Sequence, residues 1–433
     1  MSALIDPMTH IEWMCQTNSD PWSKSQPPEW SLYSDVENLI IEEAFETKQT
    51  HAMLDGCYID FKHSIQICNN DDNKQRPVKR LVRKKDDKRL RRERFMLDPI
   101  APKRPFGGEY GWVSPFIMEV RKDLKFDKGQ LPSRDETIVS MIVEKAVIGI
   151  IEEGKIARKQ HEAEYMAKKL MEQQNSGIKE VWRCCAYLYS MNSFLYQKLN
   201  EAMRFIGSDE HEQVWRSKIR TLGPFCLLLW DDPFNNKLNT GKLLYRGAQL
   251  TDDQIITYKD YSGHFDEYRS FQAFTSCSRN RAVAEAFSGN ALFIMQVLFA
   301  FTVDLSPFSE YPDEEEELIT PGVCFTVQRV RGNNGYVLIP YKFMLDWKYM
   351  GHTRSGIWAI SKIIPVDPQN QDDTLDTLQQ SPTNTREPDE NSRARAHLVL
   401  AKIKKMKKRR RRSNALQRIR HQISATLGYA LTL

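Results

Sequence analysis

The stretch FTSCSRNRAVAEAFSGNALFIMQVL, residues 274–298, sets the reading of the second half of the chain. It opens on a serine-rich strand edge, Phe274-Thr275-Ser276-Cys277-Ser278. It closes on an apolar run over 291–298 that is short and preceded by turn residues, which reads as a strand. Runs of the same kind recur at 226–230, 243–245 and 323–330. Asn333-Asn334-Gly335 ahead of 336–339 is a hairpin signal, because Asn and Gly accept the positive φ of a tight turn. Upstream the period changes. Over 134–205 apolar residues recur at helical spacing, with Ile138, Met141, Ile142 and Ala146 on one face and Leu188, Met191, Leu195, Leu199 and Ala202 on another. Helices followed by a run of strands argue for an α+β domain and against a doubly wound α/β sheet.

The front of the chain reads as a separate small domain over residues 8–80. Strand-like runs at 11–15 and 56–67 flank one helical stretch, 35–47, in which Val36, Leu39, Ile40, Ala44 and Phe45 recur at helical spacing. Ser34-Asp35-Val36-Glu37 supplies an N-cap and a carboxylate for the first turn. One helix on a small sheet suits this length. Residues 81–94 read as a charged connector, followed by a loop with Pro99, Pro102, Pro105, Gly107 and Gly108. Residues 367–393 are polar and should be disordered, and 398–423 read as a basic helix.

The 433 residues allow two or three domains, and an apolar content of 41% is enough for real cores. The net charge is only +5, with its basic excess gathered at 79–94 and 402–412. Two readings stand for these runs: solvated connectors, or nuclear targeting and nucleic-acid contact. Residues 404–412 are the stretch read as a nuclear import signal in an otherwise intracellular protein. No basic segment with an apolar stretch marks a secretory signal at the N-terminus, and no apolar run is long enough to span a bilayer. The eight cysteines show no C-x-x-C spacing, so neither a disulfide scaffold nor a metal site is expected.

Three features in the strand-rich half carry chemistry: Tyr245-Arg246-Gly247, the Ser276 to Ser278 block, and four glutamates, Glu314 to Glu317, ahead of Leu318-Ile319-Thr320-Pro321. Taken singly they are a surface arginine, a polar strand edge and a solvated acidic loop. Each abuts an expected strand, so a sheet could bring all three to one face. An arginine can hold a pyrophosphate, serines can fix a ribose, and a carboxylate can stabilise the oxocarbenium charge that develops at a sugar C1.

These residues resemble the arginine-specific mono-ADP-ribosyltransferases, a family with an Arg–Ser–Glu active site. The block from Ser276 to Phe287 looks like its S-T-S motif and the A-x-x-F helix that follows. Ala291-Leu292-Phe293-Ile294 looks like the next strand, and Glu315-Glu316-Glu317-Leu318-Ile319-Thr320-Pro321 like its E-x-E segment. Tyr189-Ser190 and 193–200 resemble the helix before the catalytic strands. The resemblance implies NAD as substrate and no metal. Arg246 would bind the NAD phosphates or the nicotinamide ribose, and Ser276 would order the pocket. Glu317 would bond the ribose 2′-hydroxyl and stabilise the oxocarbenium ion, and Glu315 would orient and deprotonate the incoming guanidinium. Gly247, Ser278 and Phe287 would also line the NAD site. Cys277 stands where the family has threonine, and the proline comes one residue late, after Thr320. The glutamate run also allows Glu314 and Glu316 as the pair, but the apolar Leu318-Ile319 favours Glu317.

The front domain looks like a WWE domain, on Trp13, Trp30-Ser31-Leu32-Tyr33, 39–45, Tyr58-Ile59-Asp60-Phe61 and 75–80. Its naming residues would be Trp13, Trp30 and Glu42 or Glu43, with both tryptophans in the core. Such domains bind ADP-ribose units of poly-ADP-ribose, and the resemblance implies contacts from Tyr58, Gln66 and Arg76. Met14 and Cys15 stand where a ligand-facing tyrosine often sits, and some WWE domains bind proteins instead. The expected layout is thus a WWE-type domain at 8–80 and a charged linker at 81–110. A catalytic domain follows at 111–345, helical over 134–205 and β-rich over 222–345, and then a disordered linker and basic tail at 366–433. The expected function is ADP-ribose transfer from NAD to protein arginines, recruited by ADP-ribose. The alternatives are an NAD glycohydrolase and a non-catalytic poly-ADP-ribose reader; nucleic acid is a lesser partner and no membrane is expected.

Overall fold

The structure is a computed structural model describing residues 9–84, 113–127, 129–234, 241–264, 269–287, 289–299, 302–333 and 336–344. The chain divides into units 1–363 and 364–433, and every described residue lies in the first. The readings made at 366–433, the loop at 99–108 and most of the charged connector lie outside the described residues.

The N-terminal sheet contains strands β1 (Thr9–Gln16), β2 (Trp30–Leu32), β3 (His51–Met53), β4 (Cys57–Asp60), β5 (Ile65–Cys68) and β6 (Asp71–Lys84), in the order β2-β1-β6-β5-β4-β3. Helix α1 (Asp35–Glu46) crosses it. Its start is specified locally: Ser34 accepts from the Glu37 amide while the Glu37 side chain accepts from the Ser34 amide, a capping box worth about 1 kcal/mol. Ile41 and Ala44 pack with Trp13, Ile59 and Val78 against the sheet. Val36 turns the other way, into the helical core of the next domain, where Leu39 and Ile40 also pack. The helix therefore has two apolar faces. Phe45 is largely exposed, although its ring stays edge-on to Trp13.

Strand β6 extends beyond the expected connector boundary, because Leu81 and Val82 pair with Glu12 and Ile11 of β1 and the ladder continues to Lys84. Cations of the run find acids on neighbouring elements: Arg80 binds Glu42 and Arg83 binds Glu12. A like-charge run is self-repelling only until a fold brings counter-charges beside it.

The middle of the chain forms α2 (Pro115–Asp123), α3 (Val139–Ala157), α4 (Gln160–Met171), α5 (Ile178–Ser190), α6 (Phe194–Arg204), α7 (Glu212–Ser217) and α8 (Gly223–Trp230). Ile142, Ala146, Leu188, Leu195 and Leu199 are buried as their spacing predicts, and Ser193 caps α6, separating two helices that share one core. Residues 226–230, expected as a strand, form α8 instead. Every residue of α8 is buried, so the apolar run shows no period to distinguish helix from strand. Pro224 in its first turn suits a helix start, where no amide donor is missed.

The C-terminal sheet comprises β7 (Lys242–Ala248), β8 (Arg269–Ser270), β9 (Thr275–Ser278), β10 (Ala291–Phe299), β11 (Thr302–Asp304), β12 (Glu316–Ile319), β13 (Cys324–Val327), β14 (Arg331–Asn333) and β15 (Tyr336–Met344). Helices α9 (Asp252–Tyr261) and α10 (Arg281–Ala286) interrupt the strands. The order is β11-β12-β9-β7-β10-β15-β13-β8, with β14 paired to β15. Strand β14 pairs with β15, Asn333 opposite Tyr336, and the hairpin residues Asn334 and Gly335 lie outside the described residues. All pairs are antiparallel except β10 with β15, so the sheet is mixed and the α+β class holds. The β-rich part begins at β7 rather than at residue 222.

Candidate active site

Arg246, Ser276 and Glu317 lie on adjacent strands β7, β9 and β12, and all three are nearly inaccessible to solvent. Tyr245 pairs with Ser278, Glu317 with Cys277 and Leu318 with Ser276. Directly opposed residues share a face and successive residues alternate. Arg246 and Glu317 therefore occupy one face with Cys277, whereas the Ser276 side chain lies on the other with Leu318. This differs from the expectation of one face for all three. Ser276 meets the arginine through its main chain: Arg246 Nη1 donates to the Ser276 carbonyl at 2.9 Å. The Ser276 hydroxyl is buried without a hydrogen-bond partner among the described residues. Such atoms are rare in folded proteins and call for a further partner.

The Glu317 carboxylate, 0% exposed, accepts from Lys242 Nζ at 2.6 Å, from Arg279 Nη1 at 3.1 Å and from the Thr302 hydroxyl. Arg279 also meets Asp304 at 2.8 Å. Burial works against the Arg279 cation, but its bonds to Asp304 and Glu317 outweigh this and hold its pKa above the ordinary value. Burial likewise raises the Asp304 carboxyl, and the Arg279 guanidinium outweighs it and brings the pKa below the usual value. Two cations thus keep a buried carboxylate in place, as a charge at such depth requires.

Lys242, Arg279, Thr302 and Asp304 were not singled out in the sequence. Lys242 stands four residues before Arg246, on the same strand face, and Arg279 directly follows Ser278, so both had a positional signal. Thr302 and Asp304 reach Glu317 only through the β11–β12 pairing.

Glu315 sits outside the strand in a left-handed conformation, φ 46°, with its side chain 44% exposed. Asn280 Nδ2 donates to its Oε1 at 3.2 Å. The Ser278 hydroxyl donates to the Glu314 carbonyl at 2.8 Å and accepts from the Asn280 amide, so this serine ties the glutamate turn to β9. Gly247 is buried on β7, and Phe287 is half-buried at the end of α10.

In the N-terminal sheet Trp13 is buried, its indole donating to Glu42 at 2.8 Å, and Arg80 grips the same carboxylate. Glu42, not Glu43, is therefore the acid bonded to the tryptophan. Trp30 is half-buried beneath the Lys79 ammonium. Gln66 and Arg76 stand directly opposite each other. Gln66 accepts from the Tyr33 hydroxyl at 2.6 Å, and Arg76 donates to the carbonyls of Gln16 and Asn18. Tyr58 pairs with Ile67, one position out of phase with Gln66, so it lies on the other face with its ring edge-on to His51. Cys57 shares the Gln66 face by the same register, and burial pushes its thiol up to about 12.

Residues 155–343 match the family model described as NAD:arginine ADP-ribosyltransferase, and residues 12–80 match the WWE domain. A chicken (Gallus gallus) protein named NAD(P)(+)--arginine ADP-ribosyltransferase 2 is 28% identical over 151 residues, 35% of this chain and 45% of that protein. The chain thus spans less than half the length of this curated relative. Among solved structures, the ADP-ribosyltransferase HopU1 of Pseudomonas syringae is 16% identical over 41% of this chain and 87% of its own, with a TM-score of 0.33. The type III effector XopAI of Xanthomonas axonopodis is 12% identical over 54% and 100%, with a TM-score of 0.35. The family models thus match a WWE domain at residues 12–80 and an NAD:arginine ADP-ribosyltransferase domain at residues 155–343.

Proposed function

We propose that the protein transfers ADP-ribose from NAD to the guanidinium groups of protein arginines, releasing nicotinamide. The observation that carries this reading is the buried Glu317 carboxylate, on the same sheet face as Arg246 and inside the segment that matches the transferase family. In this reading Arg246 holds the NAD phosphates. Glu317 faces the ribose and stabilises positive charge at C1 as the nicotinamide bond breaks. The Ser276 carbonyl positions Arg246. Glu315, half-exposed at the turn, receives the acceptor guanidinium and takes its proton. Lys242 and Arg279 hold the Glu317 carboxylate in position, and their contacts must loosen when the ribose arrives. The WWE domain reads ADP-ribose through Gln66 and Arg76.

The test is ADP-ribose transfer from labelled NAD to agmatine, with Glu317→Ala as control. Transfer that disappears in the variant supports the reading. Absence of transfer by the unmutated chain, with nicotinamide still released, would make it a glycohydrolase.

A further inference from the structure

The two domains share a buried polar contact beside the glutamate turn. Asp35, the first residue of α1, is nearly inaccessible and accepts from the Tyr311 hydroxyl through one oxygen. Its other oxygen accepts from the Asn192 amide at 2.8 Å. Tyr311 is itself buried, and its main chain starts the turn that ends at Glu315. Glu314 N donates to the Tyr311 carbonyl and Glu315 N to the Pro312 carbonyl, each at 3.1 Å. The far end of the turn is fastened to β9, where the Arg279 amide donates to the Glu315 carbonyl at 3.1 Å. On its N-terminal side Glu310 accepts from the Tyr187 hydroxyl at 2.6 Å.

The turn needs these fastenings. A non-glycine residue in the left-handed region persists only where its surroundings over-determine it, and Glu315 is such a residue. Among the described residues its carboxylate accepts from the Asn280 side-chain amide and meets Arg279 at 4.0 Å, and the main chain of the turn sets where it stands. Asp35 belongs to a wider seam. Asp55 accepts from the His161 amide at the start of α4, Glu43 meets Lys168 at 2.6 Å, and Val36 is buried in the helical core.

From this geometry we infer that the WWE domain is a structural part of the acceptor site, with Asp35, acting through Tyr311, a positioning residue for Glu315. The inference rests on the role proposed above for Glu315. Docking of the WWE domain then sets how ADP-ribose divides between arginine and water, independently of any ligand the WWE domain holds. Glu317 and Arg246 are held by strand pairing to β9, which the variants leave in place, so nicotinamide release is spared.

The full-length chain is compared with Tyr311→Phe, Asp35→Asn and the double variant, measuring ADP-ribosyl-agmatine and nicotinamide in the same tubes. Loss of one buried charge-assisted hydrogen bond should lower transfer by roughly tenfold, with nicotinamide release within about twofold. The double variant should be no worse than the worse single one. Equal loss of transfer and release, no change in either, or multiplying defects in the double variant would overturn the inference. Amide hydrogen exchange needs no activity. Asp35→Asn should speed exchange in peptides covering 309–317 and leave those covering 275–278 unchanged. If neither product forms in the unmutated chain, the functional reading fails; unchanged exchange at 309–317 would separately refute the positioning role.

Discussion

Replacing Glu317 by glutamine tests the centre of the site while nearly conserving its shape. The carboxylate accepts from Lys242, Arg279 and Thr302, and glutamine presents one oxygen where there were two, with an amide that can only donate. Neither cation is stranded. Lys242 is 36% exposed and can turn to water, and Arg279 keeps Asp304. The stability cost should then be about that of one lost hydrogen bond to a charged group, ~1.5–3 kcal/mol, too little to unfold a core of this size. The chemical cost is larger. A preorganised group facing developing charge contributes about 10²–10³ in rate, so transfer to agmatine and nicotinamide release should both fall by roughly that factor. The assay is single-turnover release of labelled nicotinamide, with circular dichroism as the check on folding. A folded Glu317→Gln protein that retains activity within about threefold would refute the placement of the oxocarbenium ion beside Glu317.

Glu315→Ala should abolish transfer to agmatine while keeping nicotinamide release, because only the acceptor is lost; parallel loss would argue against separate roles for the two glutamates. Gly149→Ala should destabilise the protein by about 1–3 kcal/mol in urea unfolding, since the added Cβ would lie 1.9 Å from the Thr221 carbonyl oxygen, a main-chain atom that cannot step aside; an unchanged midpoint would show that α3 can shift. In the WWE domain, Arg76→Ala should weaken ADP-ribose binding in calorimetry and Tyr58→Ala should not, because the register puts Tyr58 on the opposite face. The Lys168 ammonium beside Glu43 holds that carboxyl below its usual range. A carboxylate depressed in the fold contributes stability above its unfolded pKa, about 4.3, and loses it as pH falls through the folded value. Thermal stability should therefore decline on acidification below about pH 4, and Glu43→Gln should flatten part of that decline. An acid limb unchanged in the variant would remove Glu43 from the account.

Much of the architecture could be read from local pattern. The Ser34 cap, the helical faces of α3 and α6 and the strands carrying Arg246 and Ser276 all depend on residues within a few positions of one another. Their signals are short-range steric and hydrogen-bonding preferences, which a sequence displays directly. Short motifs also singled out Arg246, Ser276, Glu315 and Glu317, through their resemblance to a known family. The helix at 223–230 did not show itself, because a segment buried on every side has no polar face to reveal its period.

What the tertiary structure alone decided is which side chains meet. A strand register shifted by one residue moves a side chain to the other face, so sequence could not separate Ser276 from Glu317 or Tyr58 from Gln66. The cations at Glu317 come from strand and turn positions 75 and 38 residues away, and Asp35 reaches Tyr311 across 276. Such pairings depend on sheet order and domain docking, which are summed over many weak contacts and leave no mark at either residue.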